Sequence, residues 1–226
     1  MLKLNNIYKA YNNEKLYENF SIEFEENKIS CILGPSGLGK TTLVNMITGI
    51  IMPDSGEISL PANSKFSYVF QEPRLLEWYN VYDNVDIVLK KYYNSSERKS
   101  IIEKTLKLVD LQEFSKYKIS ELSGGMAQRV SIARALSYPS NILILDEPFK
   151  GLDYKLMEDL ILNLKNILLE DKRTVIYITH DIDQALFLSD YIYILNKKPI
   201  EIINKFSKNE YSNNLSHYKE IIKNYL

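Results

Sequence analysis

The chain has 226 residues, 45% of them hydrophobic, with 28 Lys and Arg against 29 Asp and Glu, a net charge of −1. That suits one large domain with a real core, and it excludes a global electrostatic pull on nucleic acid or an anionic membrane, so any anion binding must be local. The single cysteine, Cys31, excludes an intrachain disulfide framework and fits a reducing compartment, no window approaches the roughly 18 uncharged apolar residues of a spanning helix, and the start MLKLNNIYKAYNNE lacks an apolar signal core.

The opening stretches MLKLNNIYKAY and LYENFSIEFEE predict an antiparallel β portion. KISCIL, Lys28 to Leu33, is short, apolar and flanked by turn residues, which predicts a buried strand. Beyond it, Leu43, Met46, Ile47 and Ile50 fall at i, i+3, i+4 and i+7, one face of a helix. Between strand and helix run Gly34, Pro35, Ser36, Gly37, Leu38, Gly39, Lys40 and Thr41, which fit the phosphate-binding pattern G-x-x-x-x-G-K-[ST]. Glycines let successive backbone N–H groups point inward as a nest for phosphate oxygens, and the free N–H groups of the helix add to it. In that geometry Lys40 reaches the β- and γ-phosphates, the Thr41 hydroxyl binds Mg²⁺ and Thr42 supports the α-phosphate. The plain alternative is an ordinary glycine turn before a helix.

Three later apolar runs end in chemistry. KFSYVFQ ends in Gln71, NILILDEP in Asp146 and Glu147, and TVIYITHD in His180. Continuous Ile, Leu and Val suit a parallel sheet covered on both faces, whose ligands bind beyond the carboxyl ends of its strands. The sequence therefore predicts that the glycine loop, Gln71, Asp146, Glu147 and His180 share one rim. Asp146 would hold Mg²⁺ through water, Glu147 would orient and deprotonate an attacking water, and His180 would contact a γ-phosphate. Read singly, each has a bland alternative: a solvated turn, a polar strand end, a structural histidine. Between these runs, SERKSIIEKTLKLVDL places Ile101, Ile102, Leu106 and Leu108/Val109 at helical spacing. ELSGGMAQRVSIARAL then sets Ser123 as N-cap, Gly124 and Gly125, and a helical face of Ala127, Val130, Ala133 and Leu136. Taken alone this is a capped core helix or a second anion-binding helix start. The last stretch, SKNEYSNNLSHYKEIIKNYL, reads as a terminal helix, and His217 within it has no assigned role.

With LSGGMAQR the chain resembles the ATP-binding-cassette family, the ATPase subunits of ABC transporters. Its glycine loop, Gln71, LSGG, LDEP, GLD and His180 follow in that family's order. The resemblance implies an α/β fold: a P-loop NTPase-type parallel sheet core with an antiparallel β portion and a helical subdomain. It implies a single ABC ATPase domain over 1–226, with residues of about 1–71 and 138–226 as catalytic lobe and about 72–137 as helical subdomain. ATP and Mg²⁺ are the implied cofactors, with Thr41, Gln71 and Asp146 at the metal and Glu147, His180 and Gln71 as catalytic residues. In this family two cassettes pair head to tail, so Ser123, Gly124 and Gly125 would close on the nucleotide of a second copy. Asp153 would cross the same interface, and Tyr11 matches the aromatic that stacks on adenine, with Tyr8 and Tyr17 as nearby competitors.

FQEPRLLEWYNVYDNV, Phe70 to Val85, resembles the version found in nitrate, sulfonate and taurine importers, which usually carry Pro where this chain has Glu77. Lys150 stands where that group usually has a small residue; a lysine there would either pair across the dimer or be solvated, and the solvated reading is favoured. The resemblance implies an importer motor at the cytoplasmic face of the membrane. Its partners would be a membrane permease, which this segment would receive, and indirectly an extracytoplasmic solute-binding protein. The stretch after Asn196 is too short for an added ligand-sensing domain. The alternative is an exporter or envelope-remodelling cassette. A cassette acting on ribosomes or DNA is disfavoured by one cassette in the chain, five arginines and a charge of −1.

Overall fold

The computed structural model describes all of residues 1–226. The strands are β1 (Leu2–Tyr11), β2 (Glu14–Phe24), β3 (Ile29–Leu33), β4 (Ser55–Ser59), β5 (Phe66–Val69), β6 (Ile142–Asp146), β7 (Thr174–Thr179), β8 (Tyr191–Asn196) and β9 (Glu201–Ser207). The helices are α1 (Lys40–Ile47), α2 (Val81–Asp86), α3 (Ser95–Leu108), α4 (Gly124–Ser137), α5 (Tyr154–Glu170), α6 (Ile182–Leu188), α7 (Lys208–Tyr211) and α8 (Leu215–Lys223). They fall into two compact units, residues 1–66 with 172–226, and residues 67–171.

In the first unit β1 pairs antiparallel with β2 on one side and β4 on the other. Asn12 and Asn13, at φ 48 and 66, make the two-residue turn after the Tyr11↔Glu14 pair, the left-handed pair of angles that a tight hairpin needs and asparagine tolerates. Leu2, Leu4 and Ile7 on β1 and Tyr17, Phe20, Ile22 and Phe24 on β2 are all buried. Those positions are not strictly alternate. Asn6 and Asn19, both at φ 51, sit at register shifts between Leu4↔Ile22, Ile7↔Phe20 and Lys9↔Tyr17. Each bulge absorbs one extra residue and returns the next apolar side chain to the inner face.

The same unit holds β3 between β7 and β8, parallel to both, with β9 antiparallel at the edge. Every residue of β3 and β7 is buried, as continuous apolar runs require. Leu33 aligns with Thr179 and with Ile194, so Gly34 and His180 leave neighbouring strands at the same end. Helix α1 is shorter than its spacing predicts. Leu43, Met46 and Ile47 are buried, but Ile50 is 57% exposed. The Thr48 hydroxyl donates to Val44 O and Asn45 O, and Ile51 N–H reaches back to Asn45 O at 3.1 Å, which closes the helix before Ile50. The expected terminal helix is two helices, α7 and α8, with Asn214 capping the second through His217 N–H at 3.2 Å.

In the second unit β5 lies beside β6 and stops at Val69, two residues short of Gln71. Helix α3 starts in a capping box of Asn94 and Glu97 and buries Ile102, Thr105 and Leu106. Helix α4 starts at the Ser123 N-cap, as expected. Its burial is broader than the expected stripe: Gln128 through Ala133 are all buried, while Ala127 and Leu136 are only half-buried. The helix-rich stretch 72–137 lies within this unit together with β6, α5 and most of β5.

The bulges give a direct test. Valine at Asn19 would place a β-branched residue in the left-handed region, so Asn19→Val should cost about 1–2 kcal/mol, whereas Asn19→Gly should stay within about 0.5 kcal/mol of the parent. Urea denaturation of the two variants reads the difference.

Candidate functional site

In the first unit the glycine loop leaves β3 at Leu33. A Cβ on Gly34 would meet Leu195 O at 2.5 Å, so only glycine lets the chain turn there against β8. Gly39, at φ 126, opens α1 in a conformation closed to other residues. It leaves the helix start with no side-chain cap and no acidic residue in the first turn, so the α1 N–H groups and dipole keep the character that phosphate seeks. Lys40 is only 5% exposed, and its ammonium donates to Gly34 O at 2.7 Å and Pro35 O at 2.8 Å. Ser36, Gly37 and Thr41 are exposed; Pro35, Gly39 and Thr42 are half-buried; Gly34 and Leu38 are buried. His180, exposed, follows the strand that lies in register with β3. Thr179 Oγ1 accepts from Asp181 N–H at 3.0 Å, which fixes the turn carrying the imidazole.

The three candidate tyrosines separate cleanly. Tyr11 is 45% exposed at the hairpin end, with the Lys9 ammonium 5.3 Å from its ring centroid. Tyr8 is half-buried on β1. Tyr17 is fully buried, and its hydroxyl donates to Gly39 O at 3.0 Å. Burial pushes its phenol well above the ordinary range, so it remains a neutral donor. Sequence reasoning treated Tyr17 as a competitor for a base-stacking role. It is instead a strut beneath the glycine loop, a role that simple β2 alternation hides, because the bulge at Asn19 shifts the phase between Tyr17 and Phe20.

In the second unit Asp146, 2% exposed, ends β6. The Tyr68 hydroxyl donates to Asp146 Oδ2 at 3.4 Å. Burial, then the adjacent carboxylate, pushes the Tyr68 phenol above its ordinary range. The Tyr68 ring stacks on Phe70 at 3.9 Å, and the Arg74 guanidinium lies 4.1 Å over the other ring. Glu147 is half-buried and stands at φ 45, while its carbonyl accepts Lys150 N–H at 3.2 Å. A non-glycine residue held in the left-handed region costs about 1–3 kcal/mol and is seen where function keeps it. No group of three or more His, Cys, Asp or Glu side chains could hold a metal by itself. The buried carboxylate of Asp146 is the kind of oxygen ligand a hard divalent ion takes, its remaining positions filled by phosphate oxygens and water.

Gln128 is the residue that sequence reasoning passed over. It is 2% exposed on α4, and its Nε2 donates to Phe70 O at 3.2 Å and Pro148 O at 3.1 Å. One amide thereby ties the segment leading to Gln71 to the segment following Glu147. A glutamine in an apolar-looking helix was the available signal. Gln71, Ser123, Gly124, Gly125 and Asp153 meet on one cleft of ≈600 Å³. Ser123 caps α4 through Met126 N–H at 3.2 Å, and Asp153 caps α5 through Leu156 N–H at 3.0 Å.

Residues 17–150 match the family model described as ABC transporter. The spermidine/putrescine import ATP-binding protein PotA of Clostridium acetobutylicum is 39% identical over 213 residues, 90% of this chain and 60% of its own length. The protein of the same name from Fusobacterium nucleatum is 40% identical over 201 residues, 84% of this chain and 54% of its own. The chain thus spans little more than half the length of these curated relatives. Among solved structures, the dimeric post-hydrolysis state of the ATP-binding cassette MJ0796 bound to ADP and Pi superposes with a TM-score of 0.82 at 31% identity, covering 92% of this chain and 99% of that one. CbiO1 of Clostridium perfringens, part of the ABC transporter complex CbiONQ, gives 0.80 at 25% identity, covering 97% and 93%. No helix of the chain is long and apolar enough to cross a membrane.

Two buried polar struts make separate predictions. Tyr17→Phe removes one of the two donors to Gly39 O, which keeps Leu43 N–H, and Gln128→Leu strips the Phe70 and Pro148 carbonyls at once. Each lost bond of this kind costs about 1–3 kcal/mol. Gln128→Leu should therefore show the larger fall in urea midpoint, and Tyr17→Phe the larger rise in nucleotide Kd, by fluorescence titration.

Proposed function

Since the chain belongs to the ABC transporter family, we propose that it is the ATP-binding and ATP-hydrolysing subunit of a transporter, working as a head-to-tail pair of copies on a membrane permease. The observation that carries this reading is the Lys40 ammonium, held by Gly34 O and Pro35 O at the uncapped start of α1. In the proposed reaction the loop N–H groups of Gly34 to Lys40 and the α1 dipole bind the phosphates. Lys40 neutralises charge at the β- and γ-phosphates, and Thr42 supports the α-phosphate. Bound Mg²⁺, for which Thr41, Asp146 and Gln71 are the holding residues, would lower the charge on the transferring phosphate. Glu147 orients a water for in-line attack and takes its proton, and His180 holds the γ-phosphate. Tyr11 carries the adenine, its exposure supporting that role over Tyr17. Ser123, Gly124 and Gly125 of one copy close over the nucleotide of the other, with Asp153 beside them.

For the transported solute, the segment Phe70 to Val85 supports a small oxyanion or organic solute of the nitrate, sulfonate or taurine type. The two curated relatives are named for spermidine and putrescine import, which supports a polyamine as second reading. Both readings make the protein an importer motor, peripheral at the cytoplasmic face and served by an extracytoplasmic solute-binding protein. The docking segment is well defined. Trp78 is 77% exposed, while Asn84 fastens the turn beside it, accepting Leu76 N–H at 2.9 Å and donating to Leu76 O at 3.1 Å. An exposed tryptophan on a fixed turn suits a permease helix better than it suits solvent.

Glu147→Gln should bind ATP as the parent does yet turn over at least about 100-fold more slowly, since the base is lost while the geometry survives. Near-parental turnover with the partners present would remove Glu147 from its role. Trp78→Ala should weaken co-purification with the permease, by about 2 kcal/mol if it is an anchor, with little change in ATP binding. Stimulation of the assembled complex's ATPase by binding protein loaded with taurine, rather than with spermidine, decides between the solutes.

A further inference from the structure

Two charged residues beside the proposed base platform have no part in the reading above. Strand β1 pairs with β4 only as far as Tyr8↔Ser55, so the β4 side of Lys9, Ala10 and Tyr11 has no strand partner. Asp54, in the segment that joins α1 to β4, takes that place. Its Oδ2 accepts Ala10 N–H at 2.8 Å, its Oδ1 accepts the Lys9 ammonium at 2.6 Å, and its own N–H donates to Tyr8 O at 2.9 Å. Three bonds from one residue thus clip the end of β1, immediately before Tyr11.

The same carboxylate sets what lies on the aromatic ring. The ammonium that it holds stands 5.3 Å from the Tyr11 centroid, within cation–π range. A cation over one face leaves the other to a planar ligand and makes that face less negative, which favours stacking of an electron-rich base. Hydrogen bonds from Lys9 and then from Ala10 N–H hold the Asp54 carboxyl below its ordinary range, so the pair is ionised at neutral pH. The Asp54 side chain is 41% exposed, and an ion pair so open to water adds little stability. The clip also reaches the phosphate helix. Thr48 Oγ1 donates to Val44 O and Asn45 O, Gly49 N–H to Met46 O and Ile51 N–H to Asn45 O, so the run from α1 toward Asp54 is bonded back to the helix. The ring proposed for the base and the loop proposed for the phosphates, both in the first unit, are therefore joined through Asp54.

We propose that Asp54 and Lys9 are positioning residues for the nucleobase: the carboxylate fixes the end of β1 and holds the ammonium on one face of Tyr11, so that a purine stacks on the other face at a set distance from the phosphate loop. The inference rests on the reading of Tyr11 as the adenine platform. The plain alternative is an exposed ion pair that closes a strand end. Both residues act on the base through Tyr11, so their removal should cost binding only where a base is present.

The test is calorimetric titration of the chain with ATP and with inorganic triphosphate, which has the phosphates and lacks the base. The proteins compared are the parent, Lys9→Met, Lys9→Arg, Asp54→Asn and Tyr11→Ala. Lys9→Met and Asp54→Asn should raise the ATP Kd about fivefold, the size of a single cation–π or stacking contact, and leave the triphosphate Kd at the parental value. Lys9→Arg, which keeps the cation, should restore the ATP Kd. Asp54→Asn can still accept Ala10 N–H, so its loss reports the released ammonium and not an opened strand end. An unchanged ATP Kd in Tyr11→Ala would defeat the reading of Tyr11 as platform, and the inference with it. A raised ATP Kd in Tyr11→Ala, with Lys9→Met and Asp54→Asn both at the parental value, would overturn the inference and leave that reading standing. Equal rises in the Kd of ATP and of triphosphate in Lys9→Met would make the ion pair a prop of the fold and would also overturn it.

Discussion

Burying an ammonium costs several kcal/mol unless protein oxygens replace its water, and Lys40, at 5% exposure, takes those oxygens from Gly34 and Pro35. Two carbonyls can turn toward one ammonium only if the loop is very tight. That tightness demands the close pass of Gly34 against Leu195 O and the φ of 126 at Gly39. The strained loop is in turn propped by the buried Tyr17 hydroxyl on Gly39 O. The bulge at Asn19 restores the inward phase between Tyr17 and Phe20, so an irregular hairpin becomes a requirement of the phosphate loop.

The second unit solves a related problem with polar side chains inside a helix. Helix α4 is buried on nearly all sides and still carries Gln128 and Arg129. Gln128 Nε2 donates to the Phe70 and Pro148 carbonyls, and Arg129 Nη1 to those of Val109 and Asp110. A buried amide with two carbonyl partners fixes those partners relative to each other, because leaving either unpaired is expensive. The same helix that presents Ser123 and Gly125 at its start therefore holds the approaches to Gln71 and Glu147. This gives the surface proposed to meet a second copy a mechanical tie to the residues proposed for hydrolysis.

The segment proposed for docking shows local stiffness beside an exposed side chain. Asn84 is buried and bonded to both the N–H and the carbonyl of Leu76, while Arg134 holds Arg74 O at 2.7 Å. The Arg74 guanidinium also covers Phe70, whose other partner, Tyr68, reaches Asp146. A chain of direct contacts thus runs within one unit from the Trp78 turn to the buried carboxylate at the end of β6.

Strands, glycine loop and helix caps were legible in the sequence, because they depend on local rules. Apolar runs bury as parallel strands, Ser123 and Asp153 cap the helices that follow them, and G-x-x-x-x-G-K-T leaves few conformations open. What failed was set by partners distant in sequence or by single hydrogen bonds. Ile50 fits the spacing of α1, yet the Thr48 and Ile51 bonds close the helix before it. The spacing in α4 suggested a stripe, yet tertiary burial reaches Gln128 and Arg129 and gives them their partners. Tyr17 differed from Tyr11 only through pairing across β1 and β2 and a carbonyl 22 residues away. Lys150 read as solvated, and its side chain is exposed, lining the cleft that the folded second unit forms. Sequence alone determined the glycine loop, the buried strands and the helix caps, because motif and backbone conformation are local. The tertiary structure decided which side chains brace them, because burial and hydrogen-bond satisfaction are properties of the whole packed unit.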